Sequence, residues 1–165
     1  MSTLSKKQKI SHPDVLIHIG ADHRGYCLKF HIKKYLFQKG YEVIDHGNYH
    51  YRSTDDYPDY AHSVIKAIKK NTEIGILICG SGVGMDMTAN KAKHIRAALC
   101  WNHKVAACAR YDDDANVLVL PADFITQSES KKTVYKFLNT KFSGKTKHIR
   151  RIKKILTKNK CSKKS

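Results

Sequence analysis

The stretch Ile74–Gly84, IGILICGSGVG, decides the fold. Its first half is an apolar run without polar alternation, the pattern of a strand buried on both faces of a parallel sheet. Its second half sets Gly80, Gly82 and Gly84 within five residues and leads into a segment that reads as a helix to about Lys91. Strand, glycine loop and helix make one β-α unit, and similar units stand on either side of it.

Upstream, Val15–Gly20 (VLIHIG) is a β-rich run closed by glycine. Residues 24–39 carry Leu28, Ile32, Tyr35 and Leu36 at helical spacing, and Gly40 sits where a helix ends. Tyr41–Ile44 reads as a second strand and the polar residues 45–56 as a loop. Pro58 suits a helix start, with Tyr60, Val64, Ala67 and Ile68 as its apolar stripe. Downstream, Arg96–Cys100 and Asn116–Leu120 read as the fourth and fifth strands, and residues 102–111 and 128–139 as helices. A last basic amphipathic helix covers about 147–158, with Ile149, Ile152, Ile155 and Leu156 on one face. The alternation predicts an α/β fold: a three-layer α/β/α sandwich on a five-stranded parallel Rossmann-like sheet, plus one extra helix. That helix is expected either to pack on its own domain or to dock on a partner subunit. The expected organisation is a basic arm over 1–13, one domain over 14–158, and a basic tail over 159–165.

Composition narrows the function. A chain of 165 residues, 41% hydrophobic, can bury a real core. No run approaches the ~20 apolar residues that cross a bilayer, and the polar N-terminus does not read as a secretory signal. The five cysteines follow no C-x-x-C pattern or regular framework, so reduced thiols and a cytoplasmic location are expected. The net charge of +17 is uneven. Residues 10–130 hold 14 Lys/Arg against 14 Asp/Glu, whereas residues 131–165 hold 14 Lys/Arg and no acid. Such an end can bind phosphate, RNA or an acidic membrane; the expected reading is a solvated tail on a neutral enzyme, without a nucleic-acid or membrane partner.

Ligands of open α/β sheets bind beyond the carboxyl ends of the strands. The segments selected are Gly20–His23, Cys79–Gly84, Cys100–His103 and Asp112–Asp114 on the approach to the fifth strand. The glycine loop lets backbone N–H groups converge on an anion, either a phosphate or a developing oxyanion. The same field is expected to favour a thiolate at Cys79, which then serves as base or nucleophile. A buried strand-end cysteine fits the spacing equally well. Asp22 and His23 can shuttle protons. Asp112–Asp114 also reads as a solvated helix-end cluster. The first turn, GADHRG, is no dinucleotide fingerprint, and the loop lacks the Gly-Lys-Ser/Thr ending of a P-loop. No His or Cys spacing suits a metal.

The stretches IGADHRGYCLK, KGYEVIDHG, DYPDYA, GILICGSGVGM, ANK, IRAALC, DDANVLVL and FLNTKFSGKTKHIRRI resemble, in this order, the ribose-5-phosphate isomerase B family, which includes galactose-6-phosphate isomerase subunits. The resemblance covers about residues 15–155. It implies interconversion of ribose 5-phosphate and ribulose 5-phosphate through an enediolate, a step of pentose phosphate metabolism, with no metal or other cofactor. It also implies a homodimer or homotetramer with sites at the dimer interface. Cys79 matches the proton-abstracting cysteine. Gly80, Gly82, Val83 and Gly84 match the oxyanion cradle, and Ser81 matches a hydroxyl that aids proton transfer. Asp22, His23 and Tyr57 match sugar-binding positions. Lys147 and Arg151 match a phosphate grip that is usually two arginines; lysine keeps the charge and loses the fork.

The sequence departs from the family at several positions. Asp112 replaces a histidine that assists ring opening, and Asp113 replaces an asparagine. Asp123 stands where a third arginine is usual, and Asp86 where serine is usual. A protonated Asp112 carboxyl or His103 is the expected substitute for the histidine, and the tail lysines for the arginine. An isomerase of a hexose 6-phosphate of allose or galactose type is the first alternative. A non-catalytic protein that binds a sugar phosphate or RNA is the second.

Overall fold

The computed structural model describes residues 15–70 and 72–156; the basic arm, the tail and the end of the last expected helix lie outside these. Five strands, β1 (Leu16–Ala21), β2 (Glu42–Asp45), β3 (Glu73–Cys79), β4 (Ala97–Leu99) and β5 (Val117–Pro121), form one sheet. Every pairing is parallel and the order is β2-β1-β3-β5-β4. Between and after them run α1 (Tyr26–Gln38), α2 (Tyr57–Ala67), α3 (Val83–Ala89), α4 (His103–Asp113), α5 (Gln127–Asn139) and α6 (Thr146–Leu156).

The apolar run of β3 is buried along its whole length, as its lack of alternation requires. Its side chains divide between two cores. Ile74, Ile76 and Ile78 join Leu28, Ile32 and Leu36 of α1, Ala106 of α4, and Val134 and Phe137 of α5. Leu77 and Cys79 join Ala61, Val64 and Ile65 of α2 and Met85 and Ala89 of α3. Each fully buried Ile or Leu contributes about 1.5–3 kcal/mol of transfer free energy. The helices after β1 and β5 thus cover one face, while the helix after β3, between them, covers the other. The chain parts on both sides of the carboxyl end of β3, which opens a crevice there.

Two helix ends differ from the sequence reading. Helix α3 stops at Ala89. Helix α4 continues to Asp113, because Asp114 takes a left-handed conformation (φ 49°) and its carboxylate accepts from Arg96 and Arg110. That arginine clamp turns an apparent solvated turn into a fixed helix end. Helix α6 packs on α4 through His148, which is buried, bonds Ser143 Oγ at 2.7 Å and lies 3.4 Å from Asp112. Ile149 and Ile155 of the same helix stay exposed, so its own domain serves only part of its apolar face.

Candidate active site

Three loops meet at the carboxyl end of β3. The Asp22 N–H donates to Ile78 O (3.3 Å), the Ala122 N–H to Cys79 O (2.9 Å) and the Asp123 N–H to Gly80 O (3.0 Å). The loop after β1 lies so close to β3 that a Cβ on Gly25 would stand 2.2 Å from Ile78 O. Gly82 enters α3 at φ 79°, where a Cβ would also meet the Leu99 side chain at 2.3 Å. These contacts seat Cys79, 4% exposed, beneath the glycine loop, with the N–H groups of Met85 and Gly82 directed at its sulfur.

The expected thiolate is not what this seat favours. Burial raises the pKa of the Cys79 thiol, and the Asp22 and Asp123 carboxylates raise it further; the two N–H groups oppose them and do not prevail. The resting group is a thiol. Burial also raises Asp22, which accepts from the Gly25 N–H at 2.9 Å and is 5% exposed. Cys79 feels the charge of Asp22 more strongly than that of Asp123. Asp123 is not a bare negative charge, since it pairs with Arg24 beside Gly80.

The wall of the pocket comes from β1's loop and the approach to α2. His23 offers two donors to one oxygen: its backbone N–H lies 3.1 Å and its ring Nδ1 2.6 Å from Asp55 Oδ1. Asn48 Nδ2 donates to Asp55 Oδ2 at 2.6 Å, and the Tyr60 hydroxyl also bonds this carboxylate. Burial works to raise Asp55, and the bonds from His23, Asn48 and Tyr60 outweigh it, so its pKa falls below the usual value. The Tyr57 ring lies against Gly84, Val83 is exposed, and the exposed Ser81 hydroxyl is 3.4 Å from the Val83 N–H. Among the described residues no three His, Cys, Asp or Glu gather to hold a metal.

A family model described as ribose/galactose isomerase matches residues 17–155. This chain belongs to that family. A ribose-5-phosphate isomerase B of Mycobacterium tuberculosis is 36% identical over 82% of this chain and 85% of its own. The solved structure of ribose-5-phosphate isomerase B from Mycoplasma genitalium, with bound ribulose-5-phosphate, superimposes with a TM-score of 0.84 at 46% identity, covering 88% of this chain and 96% of that one. The Thermotoga maritima ribose 5-phosphate isomerase gives 0.82 at 46% identity, covering 86% and 97%.

The remaining residues that the sequence singled out stand elsewhere in this ribose/galactose isomerase fold. Asp112, Asp113 and Asp114 end α4 and precede β5, so they lie at the amino end of the parallel sheet, opposite Cys79. Grouping them with the strand carboxyl ends was wrong, because the residues leading into a parallel strand occupy the other end. Asp113 lines a cleft of about 420 Å³ with Asn90, Arg96 and Ile155. Lys147 and Arg151 are exposed on α6 at that same end. One chain therefore holds the expected site in two separated halves. His103 follows β4, two strands from β3, with Nδ1 2.6 Å from Glu129. Asp86 is half-buried in α3; burial raises its pKa and one of its oxygens has no partner. Arg24, Asn48, Asp55 and Tyr60 enter the site without having been singled out. Arg24 and Tyr60 stood in matching stretches, Tyr60 only as part of an apolar stripe, and contacts such as that between residues 23 and 55 leave no local spacing.

Proposed function

We propose that the protein interconverts ribose 5-phosphate and ribulose 5-phosphate, with Cys79 moving a proton between C2 and C1. The observation that carries this is the seat of Cys79, 4% exposed at the carboxyl end of β3 beneath the glycine loop, where the loops bearing Asp22 and Ala122 bond the end of that strand. Once the aldehyde is free, a base takes the C2 proton, the electrons pass to O1 as an enediolate, a proton passes from O2 to O1, and the same base returns a proton to C1 as the C2 carbonyl forms. The Gly80–Gly84 segment, with Ser81 at its rim, faces the developing oxyanion. The raised thiol pKa means that Cys79 must first give up its proton, and Asp22, itself raised, is the adjoining carboxylate. No cofactor is used. His23 and Tyr57 flank the sugar.

The separation of the two halves supports a homodimer. Asp112, Asp113, Lys147 and Arg151 of one protomer close the site around its partner's Cys79, and the two cations take the phosphate. Residues 14–158 form the isomerase domain, flanked by basic segments. The four described cysteines are free, in keeping with a cytoplasmic location. Purified protein is expected to convert ribose 5-phosphate, and Cys79→Ala to abolish turnover. A wild-type protein inactive on every pentose and hexose phosphate tried would refute the isomerase reading.

A further inference from the structure

Ribose 5-phosphate in water is a closed furanose, and its C2 hydrogen becomes acidic only when C1 is a carbonyl. An isomerase must therefore take the proton of the C1 hydroxyl and deliver one to the ring oxygen O4. That work suits an oriented imidazole with one nitrogen free and some access to water. In the proposed homodimer Asp112 reaches this site only from the partner subunit, and the imidazole beside it, His148, is buried and bonded to Ser143. His103 follows β4, which β5 separates from β3. His23 follows β1, which pairs directly with β3 up to Ile78.

We propose that His23 and Asp55 form the acid–base pair that opens the sugar ring before Cys79 acts. The proposal rests on the isomerase reading. Asp55 is a positioning residue, and its side chain is 5% exposed against 26% for His23. One carboxylate oxygen receives both the backbone N–H and the ring Nδ1 of His23, which fixes the loop and the ring together. The other receives Asn48 Nδ2. Asn48 is held in turn, because buried Lys29 donates to its carbonyl at 2.6 Å. An ionised carboxylate only accepts, so Nδ1 of the neutral ring carries the proton and Nε2 keeps its lone pair. Nε2 has no protein hydrogen bond among the described residues.

The step balances within this pair. Nε2 takes the proton of the C1 hydroxyl, and the O1 electrons form the carbonyl. The C1–O4 pair leaves on O4, and the imidazolium returns the proton to O4. Asp55 steadies the transient cation and stays ionised. A carboxylate that only tied two loops together would not need to meet a ring nitrogen.

The test uses ribulose 5-phosphate, which cannot close a furanose because its O5 carries the phosphate. Deuterium exchange from solvent into its C1 reports the Cys79 step alone, whereas turnover of ribose 5-phosphate requires the ring to open. In the full-length protein, Asp55→Asn and His23→Gln are each expected to lower kcat on ribose 5-phosphate about 10²-fold, while exchange at the C1 of saturating ribulose 5-phosphate falls at least about tenfold less, whatever the change in KM. Asp55→Glu restores part of kcat. Equal loss of exchange and turnover, or a rise in KM alone, overturns the pair's role and leaves the isomerase reading standing. A wild-type protein that catalyses neither process overturns both. If Asp55→Asn does not fold, His23→Gln decides, since its side chain lies at the pocket surface.

Discussion

Cys79 carries opposing influences on one sulfur. Burial and two carboxylates hold the proton on; two N–H groups and the start of α3 draw it off. The thiolate fraction therefore grows as pH rises toward and beyond the ordinary thiol range. Alkylation of Cys79 by iodoacetamide, followed by mass spectrometry, is expected to accelerate through this range without a plateau near neutrality. Asp123→Asn removes one of the carboxylates and is expected to move the curve to lower pH. Gly82 sets the geometry of the N–H groups. Gly82→Ala forces a Cβ onto φ 79° and into Leu99, and is expected to cost about 1–3 kcal/mol in denaturant melts. Cys100 supplies the matching statement about stability. It is fully buried, and burial first, then Asp86, pushes its thiol up to about 12. The folded state thus keeps a proton that the unfolded chain releases. Stability is unaffected below the unfolded value and falls above roughly pH 9, by up to about 1.4 kcal/mol per unit until the folded value is reached. Cys100→Ala is expected to flatten that alkaline limb in urea titrations at successive pH values.

Helix α1 works through the loop that follows β2. Lys29, 3% exposed, donates to Asp45 at 2.7 Å and to the Asn48 carbonyl at 2.6 Å. Asp45 also receives Lys33 and the Gly47 N–H, and Asn48 passes the restraint on to Asp55. Replacing one member of a buried ion pair leaves the other uncompensated. Lys29→Met is expected to destabilise the fold by about 3 kcal/mol, somewhat eased by Lys33. Below the melting temperature it is also expected to lower kcat, because Asn48 and Asp55 lose their anchor; melts and assays on the same sample check both. This chain of contacts is where sequence reading stopped. The strands and helices were legible because their signals are periodic or local: the apolar run of β3, the stripe of α1, the glycine after it. The Cys79 loop was legible for the same reason. Residues 45–56 read only as polar loop, since Asp55 gains its meaning from a partner 32 positions away. The direction of the Cys79 shift was not legible either, because two of its causes, Asp22 and Asp123, come from other loops.

At the scale of the molecule, parallel strands put Cys79 and the Asp112–Lys147–Arg151 group at opposite ends of one sheet. Asp112 looked like a neighbour of the active site because its segment adjoins a strand, and the polarity of that strand sends it the other way. The proposed homodimer completes each site from two copies, so inactivating changes in different halves are expected to complement each other. Cys79→Ala disables the carboxyl-end half, and the double change Lys147→Ala/Arg151→Ala disables the amino-end half. Each homodimer has two broken sites. After equal amounts are unfolded, mixed and refolded, half of the dimers pair one chain of each kind. One site of such a dimer takes both defects, and the other draws only intact residues from both chains. Activity is then expected to return to about a quarter of the wild-type value, although either variant alone gives almost none. No recovery at all in refolded dimers verified by light scattering would show that each site is completed within a single chain.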